Sequence, residues 1–230
     1  ITTPETLHIL LSQKETAALY QNLRCVVVDE WHELVGNKRG VQIQLALAYL
    51  QAKCSHPFMR WAISATLGNL EQAASTLLGN ELPLHIIKAN LQKEIRLTSI
   101  FPEEIEKYPW SGHLGLRLVD QVIETIEGGK SVLLFTNTRS QTEMWYQKIL
   151  EIRPDWAGWM AMHHGSLDSS IRNWVENALH EGILKVVVCT SSLDLGVDFR
   201  PVDRVIQIGS PKGVSRFVQR AGRAGHQPGL

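Results

Sequence analysis

The stretch "RCVVVDEWHELV", residues 24–35, drives four apolar residues, Cys25, Val26, Val27 and Val28, toward an interior and then sets Asp29 and Glu30 side by side. A continuous β-branched run of this kind marks a strand buried on both faces, as in a parallel sheet. In such sheets ligands gather beyond the carboxyl ends of the strands, which is where the two acids stand. Adjacent carboxylates repel each other and a packed core has no use for them, so a cation is expected beside them. An apolar strand closing in Asp-Glu suits an NTPase, in which the Asp holds Mg2+ and the Glu orients or deprotonates the attacking water. Taken alone, the pair reads equally well as two solvated acids at a strand end.

Similar runs recur along the chain. Strands are expected over 24–28, 60–64, 84–88, 131–135, 157–162, 184–189 and 203–208, with helices over 4–13, 40–53, 69–78, 112–127, 140–152 and 168–180. Alternation of short apolar runs with helical stretches predicts an α/β fold with mainly parallel sheets. In the last helix Asp168 or Ser169 is the expected cap, ahead of Ile171, Trp174, Val175 and Ala178 at helical spacing. The pattern breaks in the mixed, charged stretch near residues 90–111, where one further strand is expected over 94–100. Two lobes follow, 1–90 and 110–230, joined by a connector over 91–109. "EGGK", residues 127–130, lacks the spacing of a phosphate loop and reads as a helix stop.

The 230 residues hold 23 Lys plus Arg and 23 Asp plus Glu, so net charge points to no nucleic acid, membrane or acidic partner, and any nucleic-acid contact must be local to a groove. Three cysteines, Cys25, Cys54 and Cys189, show no CxxC spacing and read as buried thiols of a reducing compartment. No apolar run approaches the ~18 residues of a membrane span, and no signal peptide opens the chain; a cytoplasmic location is expected. Ile1 opens the sequence without a Met, which suggests a piece of something longer.

Three further stretches leave strand ends or carry paired charges. "SAT", Ser64 to Thr66, can bond a neighbouring loop and relay nucleotide state, though a lone Ser/Thr turn looks the same. "QRAGRAGH", residues 219–226, sets Arg220 and Arg223 one helical turn apart among glycines, a composition that favours an anion site over a plain basic helix end. "TSSLDLGVD", residues 190–198, offers hydroxyls suited to backbone phosphates, contacts that position a strand without reading its sequence.

DEWH, SAT, TSSLDLGVD and QRAGRAGH, in this order, closely resemble motifs II, III, V and VI of superfamily-two helicases. "TTPETL" (2–7) is similar to motif Ib, "LLFTNTR" (133–139) to motif IV, and "HHGSL" (163–167) to the nucleic-acid loop between motifs IV and V. DEWH, with its Trp31, and the longer "VVVDEWHELVGNKRGVQ" resemble most the Lhr-type branch, in particular its ligase-associated DNA-repair members. The resemblance implies two RecA-like lobes, the first incomplete at its N-terminus, using ATP and Mg2+ and moving 3′ to 5′ on single-stranded or partly duplex DNA. RNA is the alternative strand, repair nucleases or ligases are implied partners, and a membrane is not.

Residue by residue, the resemblance makes Asp29 the Mg2+ ligand and Glu30 the catalytic base. It makes His32, Ser64 and Thr66 the coupling residues. Gln219, Arg220 and Arg223 would face the γ-phosphate, and Gly196 and Asp198 would lie by the nucleotide. Thr3, Pro4, Glu5, Thr138, Arg139, His164, Gly165, Thr190 and Ser191 would lie along the strand. The family's Walker A loop has no counterpart in these residues, so the chain by itself is expected to hydrolyse little or no ATP. A passive scaffold is the competing class; intact Asp29, Glu30, Arg220 and Arg223 argue against it. His163 and His164, being adjacent, are not expected to share a metal, and Lys38 and Arg39 read as a solvated turn.

Overall fold

The computed structural model describes residues 1–13, 20–64, 67–79, 84–88, 95–101, 115–194, 202–211 and 213–225. The chain divides into two compact units, residues 1–90 and 91–230. Among the described residues no helix is long and apolar enough to cross a membrane.

In the first unit α1 (Pro4–Ser12) starts behind Thr3, whose Oγ1 accepts the Thr6 N–H at 3.2 Å, with Pro4 in the turn where its missing N–H costs nothing. β1 (Cys25–Val28) runs parallel to β2 (Met59–Ala62), Val27 opposite Trp61. Between them lie α2 (Trp31–Leu34) and α3 (Lys38–Lys53), and α4 (Leu70–Leu78) follows β2. Side chains alternate across a strand. Val26 and Val28 therefore join Trp31, Ile43, Leu47, Ala73 and Leu77 in one core, while Val27, Met59, Trp61 and Ile63 face outward and are exposed.

Lys38 and Arg39 open α3 rather than forming a turn, because the Asn37 carboxamide oxygen accepts the N–H groups of Arg39 (2.9 Å) and Gly40 (3.2 Å). Gly40 lets α3 pass against the end of α2: a Cβ there would overlap the Leu34 carbonyl, a backbone group that cannot turn aside. Gly40→Ala is therefore expected to destabilise the first unit by about 1–3 kcal/mol despite the higher helix propensity of alanine, as read by denaturant unfolding. An unchanged midpoint would contradict the close approach.

The second unit is a four-stranded parallel sheet in the order β4 (Met160–His163), β5 (Val186–Cys189), β3 (Val132–Phe135), β6 (Arg204–Gln207). β3 is central and its four residues are all fully buried. Alternation splits the sheet between two cores. Val132, Leu134, Val186 and Val188 pack under α5 (Val119–Glu127) and α6 (Arg139–Ile152), with Trp145 and Trp156. Leu133, Phe135, Val187 and Cys189 pack under α7 (Ser169–His180) with Val175, Ala178 and Leu179. Each of these large side chains contributes ~1.5–3 kcal/mol by leaving water. α8 (Val214–Ala221) closes the described chain.

Three further expectations are corrected. Residues 84–88 are exposed and form no strand: a β-branched run becomes one only where a neighbour pairs its backbone, and none of the described strands does. Residues 95–100 likewise have no regular structure; Glu94 lies outside the described residues. Asp168 occupies the cap of α7, but its carbonyl, not its side chain, serves the helix, accepting from Arg172 at 3.0 Å. Ile171 and Trp174 sit on the exposed side of that helix.

Candidate functional site

Asp29 and Glu30 stand at the carboxyl end of β1, Asp29 exposed and Glu30 half-buried. Glu30 has φ 51° and ψ 43°, and among the described residues it is the one non-glycine with positive φ. That left-handed conformation costs of order 1–3 kcal/mol for such a residue and persists only where the surroundings impose it. The imposing bonds are visible. Ile63 donates to Val28 O at 2.9 Å, Trp31 N–H to Ile63 O at 3.0 Å, and the Trp31 indole N–H to Ala73 O at 2.7 Å. Buried Trp31 thus pins the turn from below while Glu30 projects from it. The Glu30 N–H donates to Asp29 Oδ1 at 2.9 Å. His32, buried, brings Nδ1 within 3.4 Å of both Glu30 Oε2 and Ser64 Oγ. The structure therefore joins Glu30, His32 and Ser64, residues 34 apart at their extremes. Thr66 lies outside the described residues, as do Gly196 and Asp198.

Of the residues expected along a strand in this unit, Thr3 caps α1 and Pro4 is buried behind it. Glu5 is engaged by Arg39, which donates from Nε to Oε1 at 2.8 Å and from Nη2 to Oε2 at 3.3 Å; this guanidinium holds the carboxyl below its ordinary value. Arg39 thereby ties α3 to α1.

In the second unit Thr138 caps α6 through the Gln141 N–H at 3.2 Å, and Arg139 beside it is exposed. Arg139 Nε donates to Glu143 Oε1 at 2.7 Å, and the same oxygen lies 3.6 Å from His164 Nε2. The His164 ring is buried, and among the described residues neither of its nitrogens has a hydrogen-bond partner. Gly165 follows it on the surface. Thr190 and Ser191 leave β5 into a 3-10 turn over Ser191–Leu193, with the Thr190 N–H donating to His163 O at 3.2 Å. Arg139, His164, Gly165, Thr190 and Ser191 all follow carboxyl ends of β3, β4 or β5, where an open sheet binds ligands.

Burial holds both His163 and His164 below the ordinary imidazole value of 6.5, with Glu176 and Glu143 respectively pulling the other way. Rings kept neutral by the fold must charge on unfolding in acid. Their contribution is whole above 6.5 and is lost as pH falls through it toward the lower folded values. The melting temperature of the second unit is therefore expected to decline on acidification below about 6.5, less steeply in His164→Gln. A flat profile would contradict the burial.

Arg220 is not presented outward. Its guanidinium is 3 % exposed, donates from Nε and Nη2 to the two Asp194 carboxylate oxygens at 2.7 and 3.1 Å, and from Nη1 to Gln207 Oε1 at 2.6 Å. It also lies 4.6 Å above the Phe135 ring centroid. The expected γ-phosphate contact would require it to abandon a buried bidentate pair. Arg223, half-buried past the end of α8, donates to Asp194 O at 2.8 Å, and Arg216 Nε lies 3.4 Å from Asp194 Oδ2. The Gln219 side-chain oxygen is buried without a hydrogen-bond partner among the described residues. Asp194, which sequence reasoning passed over within TSSLDLGVD, is thus the hub of the arginine cluster. Its one available signal was a carboxylate at a strand exit in a chain carrying paired arginines. Glu143 was also missed, although its spacing four residues after Arg139 is the usual one for a helical ion pair.

Two family models match: a DEAD/DEAH box helicase model over residues 1–73 and a helicase conserved C-terminal domain model over residues 116–227. An ATP-dependent helicase Lhr-Core from Methanocaldococcus jannaschii is 39 % identical over 99 % of this chain, which covers 26 % of that relative. The Lhr helicase/uracil glycosylase of Escherichia coli is 28 % identical over 100 % of the chain, covering 18 % of it. The structure of Mycobacterium smegmatis helicase Lhr bound to single-stranded DNA and AMP-PNP matches with TM-score 0.81 and 32 % identity, over 100 % of this chain and 30 % of that one. The chain spans about a quarter of the length of the curated Lhr-Core relatives it matches. With two helicase-family models in series and nearly the whole of this chain aligning to part of the Lhr proteins, it belongs to the Lhr-type branch of the superfamily-two helicases.

Proposed function

We propose that this chain carries the hydrolysis-coupling half of an ATP-driven single-strand translocase, acting on DNA in the 3′ to 5′ direction and serving DNA repair. The observation that carries the proposal is the strained Glu30, held at the end of β1 and joined through His32 to Ser64. A carboxylate fixed in a costly conformation beside a second, exposed carboxylate suits a base that must be aimed, with a metal ligand next to it. Asp29 fits Mg2+: it is an exposed hard oxygen donor at a strand's carboxyl end, and Mg2+ is held by one or two carboxylates together with substrate phosphates. When bound, the ion would neutralise charge on the phosphates of ATP.

Within this scheme Glu30 takes the proton of the attacking water, and His32 passes the state of Glu30 to the loop of Ser64 and Thr66. In the second unit Arg223 is the guanidinium suited to a phosphate, with Gln219 beside it. Arg220 acts through Asp194 to hold that loop in place and does not itself touch nucleotide. Gly196 and Asp198 would complete the nucleotide side. Arg139, Gly165, Thr190 and Ser191, with the cap of α1 at Thr3, would line the strand through backbone-directed contacts. The whole protein's partners would include repair nucleases or ligases. RNA is kept as the second substrate, because contacts of this type do not distinguish the two strands; the 2′-OH does.

Anisotropy of a labelled single-stranded oligodeoxynucleotide tests the strand assignment. Arg139→Ala and Ser191→Ala are each expected to weaken binding by the chain a few-fold, with a shallower salt dependence for Arg139→Ala because a cation is lost. Binding that neither substitution alters would contradict it.

A further inference from the structure

The strand and nucleotide assignments leave a buried imidazole without a role: His163, the last residue of β4. Its ring is 1 % exposed and both nitrogens are engaged by other elements. Nδ1 lies 2.7 Å from Ser192 Oγ, in the 3-10 turn after β5, and Nε2 lies 3.0 Å from Glu176 Oε1 on α7. Ser192 Oγ is also 3.0 Å from the His163 carbonyl oxygen.

Proton bookkeeping assigns a direction to this chain. A carboxylate only accepts, so Nε2 carries a hydrogen and donates to Glu176. A neutral ring then leaves Nδ1 as an acceptor, and the single hydroxyl hydrogen of Ser192 must point at it. The His163 carbonyl does not need that hydrogen, because the Thr190 N–H already donates to it at 3.2 Å. A second proton on the ring would reverse the Ser192 bond: Nδ1 would become a donor, and the hydroxyl hydrogen would turn to the His163 carbonyl, which has a second lone pair beside the Thr190 bond. The charged groups facing the ring are Glu176 and Arg172 from α7 and His164 beside it; burial, with Arg172 and His164, favours the neutral form, against Glu176.

The turn held in this way has two ends with different duties. Thr190 and Ser191 lie at one end, and Asp194, which organises Arg216, Arg220 and Arg223, at the other, its N–H donating to Ser191 O at 3.1 Å. We propose that His163 is a positioning residue for strand binding, its neutral ring anchored on Glu176 of α7 and fixing the 190–194 turn by accepting the Ser192 hydroxyl. The proposal rests on the assignment of Thr190 and Ser191 to the strand.

The test uses the complete gene product containing these residues and a fluorescein-labelled oligothymidylate. His163→Gln keeps a polar end near Glu176 but offers nothing to Ser192, and Ser192→Ala removes the same bond from the other side. Each is expected to weaken affinity by about fivefold, the worth of one hydrogen bond, and the double variant by no more than either alone. Glu176→Gln, which still accepts from Nε2, should retain wild-type affinity where Glu176→Ala loses it. Should His163→Gln fail to fold, Ser192→Ala and imidazole nitrogen NMR decide: an Nε2–H tautomer is expected, and an Nδ1–H tautomer overturns the proposal. Wild-type binding with unmoved or additive variants overturns it alone; wild-type protein that binds no strand overturns the strand assignment and this proposal with it.

Discussion

Glu30→Gln in the complete gene product is expected to lower strand-stimulated ATP hydrolysis by about 10²–10⁴-fold, the usual worth of a positioned general base. Gln has the same shape, so it can occupy the turn at φ 51° and keep a polar contact with His32 Nδ1, now 3.4 Å from the carboxylate. What it loses is the ability to take a proton. Stability and nucleotide affinity should therefore change little, and the loss should appear in kcat rather than KM. The prediction draws its strength from the backbone. A solvated acid at a strand end has no reason to sit in the left-handed region, yet Trp31, through Ile63 and Ala73, holds Glu30 there. Activity within about twofold of wild type would mean that the turn is strained for another purpose.

Asp194→Ala is expected to cost the second unit about 3–5 kcal/mol and to lower its melting temperature by about 10 °C. Asp194 and Arg220 are both nearly inaccessible, at 4 % and 3 % side-chain exposure, and removing the carboxylate strands a buried guanidinium over Phe135. The cost comes from the unpaired charge, so the geometry makes a second forecast. Replacing both partners together, Asp194→Leu with Arg220→Met, should be less damaging than Asp194→Ala alone. Arg220→Lys should rescue poorly, since an ammonium cannot span both carboxylate oxygens and Gln207 at once. An Asp194→Ala unit as stable as wild type would show that the pair is not the hub its geometry describes, and the assignment of Arg220 to positioning would fall.

The strands of the second unit were legible because burial on both faces leaves a continuous apolar signature: Val132–Phe135 and Val186–Cys189 admit few other readings. The same signature misled at residues 84–88, where Ile86 and Ile87 have strand-forming side chains and no strand beside them among those described. Pairing is non-local, and a five-residue run carries no record of it. At the site, Asp29, Glu30 and Ser64 could be named from the strand ends they follow, and His32 from the family resemblance. The role of Arg220 could not. Its spacing from Arg223 resembles a phosphate clamp, and only the approach of Asp194, 26 residues earlier, and of Gln207 reveals that the guanidinium is held inward. Ser192, Glu176 and His163 were illegible for the same reason, since three elements must meet before a hydrogen-bond chain exists. Trp31 is the reverse case: a residue read only as a mark of the branch proves to be the buried anchor of the turn.

Steady-state ATP hydrolysis by the complete gene product, with single-stranded DNA, with single-stranded RNA and with neither, tests the central claim most directly. A coupled engine predicts turnover raised by single-stranded DNA and abolished in Glu30→Gln. Stimulation chiefly by RNA would keep the engine and change its track. Turnover indifferent to either strand would contradict the proposal, and the residues proposed for strand contact at the ends of β3, β4 and β5 would need another explanation.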